Sequence, residues 1–188
     1  MAAAPTGVPS IELESAEAVA LMETSDYPTE LLLSYEEEMV GASLFAQLST
    51  FHDGPTAQTL RSIAHVERIM ADALRPSALA RCAHLTWRSD DVLHRTGCDE
   101  ASELRGLSPR ELASRLALTC ALAIDEIARV RSSAPEAERA VMQQYLEHEQ
   151  AIADALQRMS DAEPCAAPTV DAWIARYSID KGPLGCRK

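Results

Sequence analysis

Apolar residues recur along this chain at helical spacing, in two successive pairs of segments. The second member of each pair ends on a version of the same ten residues. His65-Val66-Glu67-Arg68-Ile69-Met70-Ala71-Asp72-Ala73-Leu74 returns as Glu147-His148-Glu149-Gln150-Ala151-Ile152-Ala153-Asp154-Ala155-Leu156. Aligned on Ala-Asp-Ala-Leu, Glu67 falls on Glu149, Met70 on Ile152 and Leu74 on Leu156. The chain therefore reads as two helical hairpins. In each, one glutamate sits inside the apolar stripe, where a carboxylate is expensive to keep.

The spacing predicts helix one from about Pro28 to Phe51, capped by Thr29 or Asp26. Glu38 shares a face with Leu31, Tyr35, Ala42 and Phe45, and Glu37 shares the next face with Leu33, Val40, Leu44 and Leu48. Glu36, beside Leu32, Ser43 and Gln47, is expected to point to water. Pro55 opens helix two, which carries Leu60, Ile63, Glu67, Met70 and Leu74 on one face, and Pro76 is expected to end it. A connection follows at 76–107, with a helix expected around Ala78 to Trp87 and a break at Thr96-Gly97. Ser108-Pro109-Arg110-Glu111 is a capping box opening helix three. That helix is apolar nearly all round from Leu112 to Val130 and should be the most buried. Ser133-Ala134-Pro135-Glu136 repeats the pattern and is expected to start helix four, which buries Tyr145, Glu149, Ile152 and Leu156. These boundaries divide the chain into a flexible acidic segment at 1–27, with a short helix over Ile11 to Met22, a four-helix body at 28–161, and a C-terminal helix and tail at 162–188. The tail helix, with Trp173, Ile174 and Tyr177, should pack on the body or on a partner subunit.

Composition sharpens this into an all-α reading. The chain is rich in Ala, Leu and Glu and has few aromatics and only 7 glycines in 188 residues. A net charge of −12 argues against binding a nucleic-acid backbone. The longest mostly apolar run, Leu116 to Ile124, is too short to cross a bilayer. The first residues show no basic stretch followed by an apolar one, and the 5 cysteines include no CxxC, which together predict a cytoplasmic chain with reduced thiols.

Glu38 followed seven residues later by Phe45, the segment Ile63 to Met70 around Glu67, and the return of the theme at Glu149 resemble the ferritin-like superfamily, in particular its rubrerythrin-type members. The resemblance covers roughly residues 28–160. It implies an up-down four-helix bundle with a long crossover between helices two and three, a carboxylate-bridged iron or manganese pair, and oxidation chemistry with oxygen or peroxide. The family's ligand set is one Glu from each of two helices and one Glu-x-x-His from each of the other two. Carried over position by position, Glu38, Glu67 and Glu149 match, while the two histidine positions hold Met70 and Ile152. Counting from the turn near Ala134 puts Glu149 level with Thr119 or Cys120, neither a carboxylate. Glu126 lies about 7 residues beyond, roughly 10 Å away at 1.5 Å per residue. The expected cofactor is therefore iron or manganese in an atypical site, or none.

Three readings remain open. In the first, Glu38, Glu67 and Glu149, with His148 or Glu126, hold metal in an oxidoreductase. His148 borders Val141, Tyr145 and Ile152 and supplies the missing nitrogen if it turns inward; a partly buried helix histidine is the plainer reading. In the second, Glu67 and Glu149 act without metal as catalytic acid/base groups, or as anchors for a small molecule in the core. The third is a structural bundle that dimerises. The bland alternative for the inner glutamates is pairing with Arg or with Tyr35 or Tyr145. His65 is expected at the surface and Cys120 as an inert core thiol. Cys82, His84, His94 and Cys98 have zinc-ligand chemistry without the common zinc spacing.

Overall fold

The computed structural model describes residues 26–163 and 166–178. These form six α-helices and one 3₁₀ turn, with no strand among them. None of the helices is long and apolar enough to cross a membrane. The helix expected at 11–22, Cys165 and Cys186 lie outside the described residues.

Helix α1, Tyr27–Leu48, starts at Asp26, whose carboxylate accepts the Thr29 N–H at 3.0 Å. Helix α2, Gly54–Arg81, begins with Pro55 in its first turn and packs along α1. It does not end at Pro76 as expected. Proline removes one backbone bond and costs about 3 kcal/mol inside a helix, but the extra turn buries Ala78 and Cys82 completely and brings Arg81 to Glu138. Tertiary contact outweighs the local breaker.

Helix α3, Asp90–Leu104, is capped by Ser89 and lies later than the helix expected at 78–87. It runs straight through Thr96-Gly97. Gly97 marks the closest approach of α3 to α1: a β-carbon there would strike the Val40 carbonyl and lie 2.8 Å from the Leu44 nitrogen. By covering this side of α1, α3 also overturns the expectation for Glu36. Its carboxylate is buried and accepts the Arg88 backbone N–H at 2.8 Å and the Arg88 side chain at 2.7 Å. Leu32 and Ser43, on the same face, are buried with it.

Helix α4, Pro109–Ser133, opens on the expected capping box, with Ser108 and Glu111 bonded reciprocally. It is not the most buried helix. Leu118 and Leu122 are 72% and 75% exposed, because α4 packs mainly on the next helix and touches α1 only slightly. The second capping box does not form. Ser133 still belongs to α4 and its hydroxyl donates to the Val130 carbonyl at 2.9 Å. A 3₁₀ turn at Glu136–Glu138 leads into α5, Arg139–Ser160.

Helix α6, Pro168–Ser178, packs on α5 and α2 of its own chain. Thr169 donates to Asp154 at 2.9 Å, Ser62 on α2 donates to Asp171 at 3.0 Å, and Tyr177 and Arg176 both donate to Glu147. Trp173 is thereby buried against α5.

The α1–α3 contact gives a direct test by urea denaturation. Alanine favours helix over glycine by about 1 kcal/mol, yet Gly97→Ala should destabilise the protein by about 1–3 kcal/mol through overpacking. Leu122→Gln, on the open face of α4, should stay within about 0.5 kcal/mol of the wild type.

Candidate metal centre

Four ionisable side chains from three helices converge in the interior. Glu38 comes from α1, Glu67 from α2, and His148 and Glu149 from α5. All four are buried, and His148 is fully inaccessible. Its Nε2 lies 3.0 Å from Glu38 Oε2, 3.6 Å from Glu67 Oε2 and 3.7 Å from Glu149 Oε2. Nε2 and Glu38 Oε2 face each other without the alignment of a hydrogen bond, so both are unsatisfied buried atoms. Glu38, Glu67 and His148 each place a donor atom within 4.8 Å of the others, the one such group among the described residues.

His148 turns inward and is fully buried, not partly buried as the plainer reading had it. Its Nδ1 lies 2.6 Å from the Tyr145 carbonyl, one turn back on α5. A carbonyl only accepts, so Nδ1 carries a proton and Nε2 is left for the carboxylates. The ring stacks on Tyr145, centroids 5.3 Å apart, and Trp173 of α6 closes over it at 5.9 Å. The cover that buries His148 thus comes from the tail helix, beyond the reach of periodicity within α5.

Glu38 and Glu37 resolve as the Phe45 spacing suggested. Glu38 points inward, while Glu37 lines a solvent-reached cleft between α1 and α4. Gly41, which sequence reasoning missed, makes room for Glu67. A β-carbon on it would sit 2.9 Å from the Glu67 carboxyl carbon and one of its oxygens. A small residue one turn after Glu38 was the available signal. Cys120 faces Glu149, in the register counted from the Ala134 turn. Glu126 does not join: it is exposed and pairs with Arg129 at 3.3 Å. Met70 and Ile152, where the family pattern has histidines, are fully buried core.

Cys82, His84, His94 and Cys98 are not brought together into one site. Buried Cys82 donates to the Pro28 carbonyl at 3.0 Å. His94 and Cys98 meet on exposed turns of α3 at 3.7 Å, and His94 also bonds Ser43. His65 is exposed, as expected. Tyr35 packs on Trp87 and is no partner to the inner acids.

The chain matches no family model, no curated protein and no solved structure. The chemistry of the site must therefore be read from its own electrostatics.

Burial pushes Glu67 well above the usual carboxyl range, and neighbouring Glu38 pushes it further. Burial disfavours the charged form of His148, but Glu38, Glu67 and Glu149 outweigh it and hold the imidazole well above its ordinary value. Burial raises Glu149 to about 7, against the opposing pull of His148. Burial also raises the Cys120 thiol, which Glu149 and Glu67 reinforce. Glu37 is lifted to about 7 by the cleft walls and by Glu126 and Glu149. Three ionised carboxylates and a neutral imidazole cannot share this interior without protons or a cation.

Two measurements follow. In metal-free protein, Glu149 and Glu67 bind protons more readily folded than unfolded. Their contribution is complete below the ordinary value of 4.5 and is lost as pH rises, for Glu149 through about 7. His148 acts in the same sense, contributing fully below 6.5 and losing that contribution as pH rises through its raised value. Urea-derived stability should fall between about pH 5 and pH 8, by on the order of 3 kcal/mol from Glu149 alone. A rising profile would contradict the shared-proton description. Second, Gly41→Ala should fold normally, since the displaced atoms are the mobile end of Glu67, but should weaken Mn²⁺ binding in calorimetry by about tenfold or more.

Proposed function

We propose that this chain is a ferritin-like helical bundle that holds one first-row divalent transition metal, iron or manganese, on Glu38, Glu67 and His148, with Glu149 as fourth donor, and that it is an oxidoreductase. The observation that carries the reading is the pair of buried, unbonded atoms, His148 Nε2 and Glu38 Oε2, 3.0 Å apart with two further carboxylates beside them. A divalent cation would satisfy both atoms and offset the repulsion among the acids. A mixed imidazole and carboxylate set suits iron or manganese. The helix neighbours support the bundle reading: α1 packs with α2, α4 with α5, α2 with α5, and α1 lightly with α4, while α3 lies in the crossover.

A bound iron or manganese would supply electron transfer to oxygen or peroxide, the chemistry the ferritin-like resemblance implies. The chain's own groups do the rest. Tyr145 and Trp173 hold the His148 ring in place and exclude water from its back. Glu149, like Glu38 and Glu67, lines the cleft as well as the centre, and burial raises it to about 7, so it is an acid placed to take up or release a proton as a ligand arrives. Glu67, Glu149 and His148 hold protons more readily than exposed groups do, and would have to give them up to a cation, so affinity for one would rise with pH.

A second reading has an observation in its favour. Cys120 stands where the family pattern calls for a carboxylate, and Met70 and Ile152 where it calls for histidines. In that reading Glu67 and Glu149 are metal-free acid/base groups. Elemental analysis separates the two. Protein grown with iron or manganese should retain about one ion per chain and His148→Ala should lose it. If wild-type protein neither retains nor takes up either metal, the metal reading fails. Glu67→Gln then decides what remains: raised stability with unchanged ligand binding marks a residual buried acid, while lost turnover marks a catalytic one.

A further inference from the structure

The proposed centre opens on the cleft between α1 and α4, and the character of that opening points to a class of ligand. The cleft between α1 and α4 encloses about 530 Å³, within the range of small-molecule sites. Its walls are aliphatic: Leu33, Val40 and Leu44 from α1 face Leu116, Leu122 and Ile127 from α4. Its charge is one-sided. Seven glutamates line it against one arginine, Arg88, though Glu38, Glu67 and Glu149 belong to the centre around His148. That arginine is already committed to buried Glu36 through both its side chain and its backbone N–H. Arg129 reaches Glu30 and Glu126 from outside, at 3.4 and 3.3 Å. Glu37 and Glu100 have no ion-pair partner among the described residues. Glu38, whose buried Oε2 lacks a hydrogen-bond partner beside His148 Nε2, also lines the cleft, as do Phe45 and Tyr145.

We propose that the α1–α4 cleft binds an organic ammonium ion, a primary amine on an apolar body, with Glu37 receiving the cation and the leucine walls holding the body. Each part of the arrangement selects for this class. Aliphatic walls favour an apolar body over a hydrated inorganic cation, which would keep its water and gain nothing from them. Carboxylates without counter-ions reject fatty acids and phosphates and attract a cation. Binding in the cleft does not require a metal. The role of the bound amine as substrate rests on the metal reading above.

The test is calorimetry of octylamine, octanol and octanoate, equal in chain length, against the full chain at about pH 8, with and without Mn²⁺. Octylamine should bind at least about tenfold tighter than the other two. Glu37→Gln, alone or with Glu100→Gln, should weaken octylamine about fivefold or more and leave octanol unchanged. Glu163→Gln, an acid outside the cleft, should change neither. Equal affinity for the three ligands, or an equal loss in Glu163→Gln, would overturn the proposal, since net charge alone would then explain it. So would absence of binding in a dimer that Leu122→Glu splits, because a second copy would then cover the cleft. Octylamine binding retained by protein that holds no metal would support the cleft proposal while the metal reading falls.

Discussion

The structure turns on the burial of one imidazole among three carboxylates. His148 has no accessible surface, and Glu38, Glu67 and Glu149 lie within 3.7 Å of its Nε2. Isolated charges in a helical core are costly enough to unfold a domain of ordinary stability. The arrangement persists because each group is held from behind. Tyr145 fixes Nδ1, Gly41 gives Glu67 its space, and Trp173 seals the ring. Replacing the set by leucines would make an easier core, so stability alone does not account for the polar cluster.

The surroundings of the cluster are asymmetric. On one side α6 is tied to α5 and α2 by side-chain hydrogen bonds and closes the interior. On the other, α3 takes up one flank of α1, with Gly97 allowing backbone contact, and α4 stands away from α1. The gap is the cleft, and Leu122 in its lining remains exposed to solvent. One closed wall and one open wall are what a site needs if ligands are to enter and water is to be limited.

The body of the fold was legible wherever local chemistry and periodicity agreed. The α1 and α4 starts followed from Asp26 and from Ser108–Glu111, and the buried faces of α2 and α5 from their apolar stripes. The echo between the two decapeptides correctly paired Glu67 with Glu149 as inner acids. What failed was decided at long range. Pro76 is overridden by contacts around Cys82 and Arg81. Glu36 is buried by a helix that pattern placed elsewhere. The apolar girth of α4 gave no hint that one side would face a gap. His148 was ambiguous because its lid, Trp173, lies 25 positions downstream.

The absent ligands determine how many ions the proposed centre can hold. A bridged pair needs donors on both sides of the shared carboxylates. Here the donors cluster around His148 Nε2, while Met70 and Ile152 offer a thioether and a hydrocarbon where nitrogen would be needed. Cys120 meets Glu149 from α4 as a protonated thiol, a weak donor in place of a fourth carboxylate. On the proposed reading, the N/O donors would serve one ion and would leave a second without a shell. Whether or not an ion binds there, the acids that line the cleft beside His148 are the groups placed to meet what enters it and to hold or release protons.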